Sequence, residues 1–235
     1  MILAVNANAA VDQVLFIDRF AGGTTMRTGR CVLSVGGKAL DSAVVLKTLG
    51  APVRAVSLAA GRTGETLAGL LRERGIDSDL LWVPGETRTS YVIIETELKR
   101  HSHITTSGYT VTPEDCARFC GLVERHAGEA SWAVIAGSLP GGAPPDLYCR
   151  ITEMLHKHGV RVLIDTSGQP ALEALNARPE ILKMNELEFA ATFQAGPASL
   201  AEWAEAGRRE AARRAIPALV LTLGKRGILT FAGGR

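Results

Sequence analysis

Short apolar runs alternate with longer amphipathic stretches along most of this chain. The runs at 54–58, 132–136, 161–165, 181–183 and 218–223 are bounded by glycine, aspartate or proline, the pattern of strands buried on both faces of a parallel sheet. Between them, helical spacing of apolar residues at 39–49, 64–74, 113–126, 145–158, 169–177 and 200–215 predicts helices, several opened by proline, serine or asparagine. Repeated strand-to-helix alternation predicts an α/β fold, a doubly wound and mainly parallel sheet with right-handed crossovers.

A second pattern interrupts the first. Segments 14–18, 31–34, 79–82, 90–95 and 101–106 are short, rich in β-branched or aromatic residues, and mostly lack intervening helices. They predict a small accessory β-sheet, built by two excursions at about 14–35 and 79–106 and placed as a lid over the ligand-binding edge of one domain spanning 1–235.

Composition narrows the class. With 235 residues, 46% of them hydrophobic, the chain can bury a large core. A formal charge of +2 argues against nucleic acid or a membrane surface as partner, and the pairs Arg208-Arg209 and Arg213-Arg214 read as the solvated face of one helix. No run approaches the ~20 apolar residues of a membrane span, so a cytoplasmic protein is expected. Cys31, Cys116, Cys120 and Cys149 fit neither a zinc nor a redox spacing, and Cys116 and Cys120, one helical turn apart, read as reduced structural thiols.

The candidate chemistry gathers at predicted strand ends. Gly36-Gly37-Lys38 precedes a helix, so bare amides, a helix dipole and an ammonium converge where an anion would sit. Open α/β sheets bind ligands beyond the carboxyl ends of their strands. There lie Asn8 and Asp12, Gly137-Ser138-Leu139-Pro140, Thr166-Ser167-Gly168, Asn185, and Gly224-Lys225-Arg226-Gly227.

These segments, in this order, resemble the PfkB (ribokinase-like) family of carbohydrate kinases, in the branch that phosphorylates sugar phosphates, 1-phosphofructokinase and tagatose-6-phosphate kinase. The motifs are Asn8-Ala9-Ala10-Val11-Asp12, Gly36-Gly37-Lys38-Ala39-Leu40-Asp41, Gly85-Glu86-Thr87-Arg88-Thr89-Ser90, Gly137-Ser138-Leu139-Pro140, Asp165-Thr166-Ser167-Gly168, Lys183-Met184-Asn185-Glu186-Leu187-Glu188 and Thr222-Leu223-Gly224-Lys225-Arg226-Gly227. The resemblance implies a kinase that uses ATP and Mg2+ to add a second phosphate to a ketohexose phosphate of the fructose 1-phosphate or tagatose 6-phosphate type. The alternatives are a kinase of an unphosphorylated sugar or nucleoside, and a non-catalytic sugar-phosphate-binding protein.

By the same resemblance, Asn8, Asp12, Gly36, Gly37, Asp41 and Ser138 would line the sugar site, with Asp12 accepting from sugar hydroxyls. Lys38 and Arg88 would hold the phosphate already on the sugar. Asn185, Glu188, Thr222, Gly224 and Gly227 would serve the nucleotide, and Glu188 would support magnesium through water. Asn185 and Glu188 also read as a helix cap, and the two roles are compatible. A homodimer through the accessory sheet is a further expectation.

Three positions depart from the family pattern: Ala39 stands for glycine, and Asp41 and Ser90 stand for asparagine. A carboxylate at Asp41 beside a phosphorylated substrate is unfavourable without a compensating cation, which bears on substrate identity. His101 and His103 fall on one side of a strand, too few for a metal site. The family's Gly-Ala-Gly-Asp motif, source of an anion hole and of the catalytic base, does not occur before Arg235. The expectation is therefore a chain with no catalytic residue of its own, C-terminally shortened, that binds sugar phosphate, binds ATP poorly and does not turn over.

Overall fold

The computed structural model describes residues 1–233; Gly234 and Arg235 lie outside them. In chain order the strands are β1 (Ile2–Asn6), β2 (Ala10–Ile17), β3 (Arg30–Gly36), β4 (Val53–Ala59), β5 (Asp77–Trp82), β6 (Arg88–Glu95), β7 (Arg100–Thr105), β8 (Trp132–Ala136), β9 (Arg161–Asp165), β10 (Ile181–Asn185), β11 (Ala218–Thr222) and β12 (Ile228–Ala232). The helices are α1 (Lys38–Thr48), α2 (Gly61–Glu73), α3 (Pro113–Glu124), α4 (Leu147–Lys157), α5 (Gly168–Ala174), α6 (Glu186–Phe193) and α7 (Leu200–Arg213).

Eight strands form one sheet in the order β12-β11-β10-β9-β8-β1-β4-β5. All neighbours are parallel except β12, which runs antiparallel to β11. The remaining four form the accessory sheet β3-β2-β6-β7, as the short β-branched segments predict. One segment moves. The strand expected in the lid at 79–82 is β5, which pairs with β4 from Arg54↔Asp77 to Ala59↔Trp82 as an edge of the main sheet. Edge exposure explains the resemblance to a lid strand, since Trp82 is exposed and Leu80 and Leu81 are only half-buried. The second excursion therefore begins at Arg88.

Two hydrophobic clusters fix the layers. On one face Phe119 of α3, Tyr148 and Ile151 of α4, Phe189 of α6 and Trp203 of α7 pack with Ile135 and Ile164 of the sheet. On the other, Leu40 and Ala43 of α1 and Leu67 and Leu71 of α2 cover Ala4 and Ala55. Local sequence sets the helix starts. Thr112 accepts from the Asp115 N–H while the Asp115 carboxylate accepts from Thr112, a reciprocal cap followed by Pro113 in the first turn.

The accessory sheet joins the main one at its carboxyl edge. β2 begins four residues after β1 ends, β3 runs directly into α1, and β6 opens at Arg88. All three junctions bring lid residues to the mouth of the parallel sheet.

Candidate functional site

The strand order reverses at β1. The chain runs outward through β4 and β5, then returns to place β8 on the other side of β1, and such a switch point is where an α/β sheet opens a crevice. Asn8, just past β1, and Ser138, just past β8, close the floor of that crevice: the Asn8 amide donates to the Ser138 hydroxyl at 3.1 Å. Tyr109 pins the same turn, accepting from the Ala9 N–H at 3.2 Å and donating to the Ala7 carbonyl at 3.0 Å. Burial raises its phenol pKa, so it stays a donor at any physiological pH. No sequence signal marked Tyr109, an isolated aromatic in a polar loop.

Gly36 and Gly37 are required by geometry. A Cβ at Gly36 would stand 2.3 Å from Asp12 Oδ1, and one at Gly37, whose φ is +106°, would stand 2.9 Å from Asn6 Oδ1. Asn6 is fully buried and was not anticipated from the sequence. α1 then starts at Lys38 with no side-chain cap, which leaves its first amides without a side-chain acceptor.

Asp12 stands opposite Ser90 in the lid register. Burial raises its carboxyl pKa, opposed by the nearby charges of His103 and Arg88 and by a hydrogen bond from Ser90. Asp41, in the first turn of α1, is pushed up to about 6 by desolvation and then by the Asp12 carboxylate, although part of the residue remains open to solvent.

Lys38 lies at the centre of a charge network. Its ammonium donates to Asp165 Oδ1 at 2.7 Å and to Glu188 Oε1, while Lys183 holds Asp165 Oδ2 at 2.9 Å. Desolvation alone would lower the Lys38 pKa, but hydrogen bonds and opposite charge from the two carboxylates outweigh it and raise it. Lys38, Arg88, Ser138, Thr166 and Glu188 line one cavity of about 410 Å³. Arg88 donates to the Asn8 carbonyl at 3.3 Å, and its buried Nε has no partner. A buried donor left unmatched costs about 1–3 kcal/mol, so this nitrogen awaits an acceptor.

The nucleotide candidates lie in a neighbouring groove of about 480 Å³ lined by Asn185, Leu187, Thr222, Gly224, Gly227 and Ile228. Gly227 has φ +97° and nothing within 4 Å of where a Cβ would point, so its backbone turn and bare surface face the groove. Asn185 and Glu188 cap α6 reciprocally: Asn185 Oδ1 accepts from the Glu188 N–H, and Glu188 Oε2 accepts from the Asn185 N–H, both at 2.9 Å. Its other oxygen belongs to Lys38, so Glu188 joins the helix cap to the charged cavity.

Among the described residues, no three carboxylate, histidine or cysteine side chains cluster as a metal site, and none of the helices is long and apolar enough to cross a membrane. His101 and His103 share one side of β7 with their rings edge to face at 5.3 Å. All four cysteines are free.

The profile of the pfkB family carbohydrate kinases matches residues 3–235. The chain is 28% identical to the 1-phosphofructokinase of Rhodobacter capsulatus over 233 residues, covering 99% of this chain and 73% of that protein. It is 28% identical to the 1-phosphofructokinase of Bacillus subtilis over 209 residues (89% and 68%) and 28% identical to the tagatose-6-phosphate kinase of Staphylococcus epidermidis over 187 residues (79% and 60%). In fold it is similar to phosphofructokinase-2 from Escherichia coli in complex with fructose-6-phosphate, with a TM-score of 0.86 at 20% identity over 100% of this chain and 77% of that one. A carboxyl-edge crevice floored by Asn8 and Ser138, a Gly36-Gly37 cradle and a match along nearly the whole sequence lead to one conclusion: the chain belongs to the pfkB family of carbohydrate kinases.

Proposed function

We propose that this chain binds a ketohexose that already carries a phosphate, of the fructose 1-phosphate or tagatose 6-phosphate type, as the acceptor for ATP- and magnesium-dependent phosphoryl transfer. The observation that carries the reading is the shared cavity of Lys38 and Arg88, in which a buried guanidinium nitrogen lacks an acceptor. A phosphate dianion offers that acceptor and takes a planar guanidinium bidentately. Asp12, an acceptor at the lid junction, fits the sugar hydroxyls. The relatives named 1-phosphofructokinase and tagatose-6-phosphate kinase support the same substrate class.

The remaining groups follow from their donors. Asp165 and Glu188 direct one oxygen each to a single point, a donor set suited to a hard divalent cation that keeps most of its waters. The groove of Asn185, Thr222, Gly224 and Gly227 suits a nucleotide, whose magnesium complex supplies the transferable phosphoryl group and neutralises its charge. The chain's own part is to orient the acceptor hydroxyl at Asp12, fix the resident phosphate at Arg88 and exclude water beneath the lid.

Calorimetric titration of Arg88→Ala tests this. Its dissociation constant for fructose 1-phosphate rises roughly a hundredfold, the scale of about 2–3 kcal/mol in lost charge-assisted hydrogen bonds, while weak binding of fructose is unchanged. Equal losses for both sugars contradict the assignment.

A further inference from the structure

The four oxygens of Asp165 and Glu188 are fully subscribed. Asp165 Oδ2 belongs to Lys183 and Glu188 Oε2 to the Asn185 N–H, and the two oxygens left over both belong to the Lys38 ammonium. Those two are the oxygens a divalent cation would need. An ammonium and a hydrated divalent ion cannot occupy the same point, so one must leave for the other to bind.

We propose that Lys38 is a resident counter-ion, holding Asp165 and Glu188 in place of a divalent cation until one arrives with the nucleotide, and then surrendering both carboxylates. Three features support the exchange. The Lys38 side chain is 38% exposed, whereas those of Asp165 and Glu188 are 13% and 17% exposed, so the flexible lysine is the partner free to move and the carboxylates are fixed. Two carboxylates without a third protein ligand hold magnesium weakly, and phosphate oxygens would complete its shell, so the cation gains its advantage over the ammonium only when the nucleotide comes with it. The ammonium also has space to move into, because Lys38 lines the cavity of about 410 Å³, where a bound anionic substrate would pair with it. The inference rests on the kinase reading of this cavity and adds an order to it: the protein keeps its cation site closed until nucleotide binds.

The test uses Mn2+ as probe, with neither sugar nor nucleotide present, followed by electron paramagnetic resonance and by the Mn2+-induced shift in melting temperature. Lys38→Met binds Mn2+ about tenfold or more tightly than the wild type, the expected direction when a cation is removed from between two carboxylates. Lys183→Met, which removes a charge from the same Asp165 but from its other oxygen, changes Mn2+ affinity by less than about threefold if position rather than net charge matters. Lys38→Gln keeps a hydrogen-bond donor without charge and gives the same gain in affinity, which preserves the test should the methionine variant not fold. Equal affinity in Lys38→Met and wild type, or equal gains in Lys38→Met and Lys183→Met, overturns the proposal. Failure here leaves the phosphosugar reading standing, and failure of the Arg88 titration removes the anionic-substrate seat while leaving the Mn2+ result to be read by itself, because the two experiments share no ligand.

Discussion

The two cavities at the carboxyl edge are built on opposite principles. The one between Lys38 and Arg88 is lined by a paired Lys38 and Glu188 and by an Arg88 whose Nε has no partner, and its lid-side wall comes from a different sheet than its floor. The groove along Thr222, Gly224 and Gly227 is more open and carries two glycines, with Leu187 and Ile228 exposed in its lining. Charge recognition demands exact placement, because each unmatched buried group is costly. A flat apolar contact tolerates displacement, because its energy follows area rather than angle. Substitutions in the first cavity should therefore cost far more than the same substitutions in the second.

The sharpest contrast comes from adding one methyl group to each. In Gly36→Ala the new Cβ takes the space of the Asp12 carboxylate, which must swing away from the sugar site. Sugar-phosphate affinity falls about a hundredfold or more, as expected when a buried charge-assisted contact is lost. Gly227→Ala meets open space, but φ +97° with ψ −151° is a backbone region only glycine adopts readily, so it costs about 1–3 kcal/mol of stability and only a few-fold in nucleotide affinity. Comparable losses of ligand affinity at both positions would break the distinction.

The smallest effect concerns Asp41. Its carboxyl pKa is pushed up to about 6 from an ordinary 3.8, so the folded state binds its proton more tightly than the unfolded chain does. The cost of ionising it in the fold is absent below pH 4 and grows as pH rises through about 6. Asp41→Asn accordingly stabilises the protein at pH 8 and not at pH 4, by under about 1 kcal/mol once the solvent contact of Asp41 is allowed for. Thermal melts at the two pH values check this, and an equal shift at both contradicts a raised Asp41 pKa.

What could be read in advance follows from the range of the forces involved. The strands at 132–136 and 161–165 were legible to the residue, since continuous apolar runs between polar stops carry their own boundaries. The helix cap of Asn185 and Glu188 was equally legible, being a contact three residues long. The strand at 79–82 was not, because edge strands of either sheet show the same half-exposed composition. Least visible was the charge network: Lys38 meets Glu188 across 150 positions, and no local pattern announces that pairing. Asn6 and Tyr109 were hidden for the same reason, since their work is to support turns brought together only by the fold.

An anionic sugar seated between α1 and the lid is what the charges of Lys38 and Arg88 are placed to hold. Crystals soaked in fructose 1-phosphate test it most directly. The predicted result is a phosphate within hydrogen-bond distance of the Arg88 guanidinium, including its buried Nε, with a sugar hydroxyl at Asp12. A cleft without sugar, or a phosphate bound away from Arg88, would contradict it.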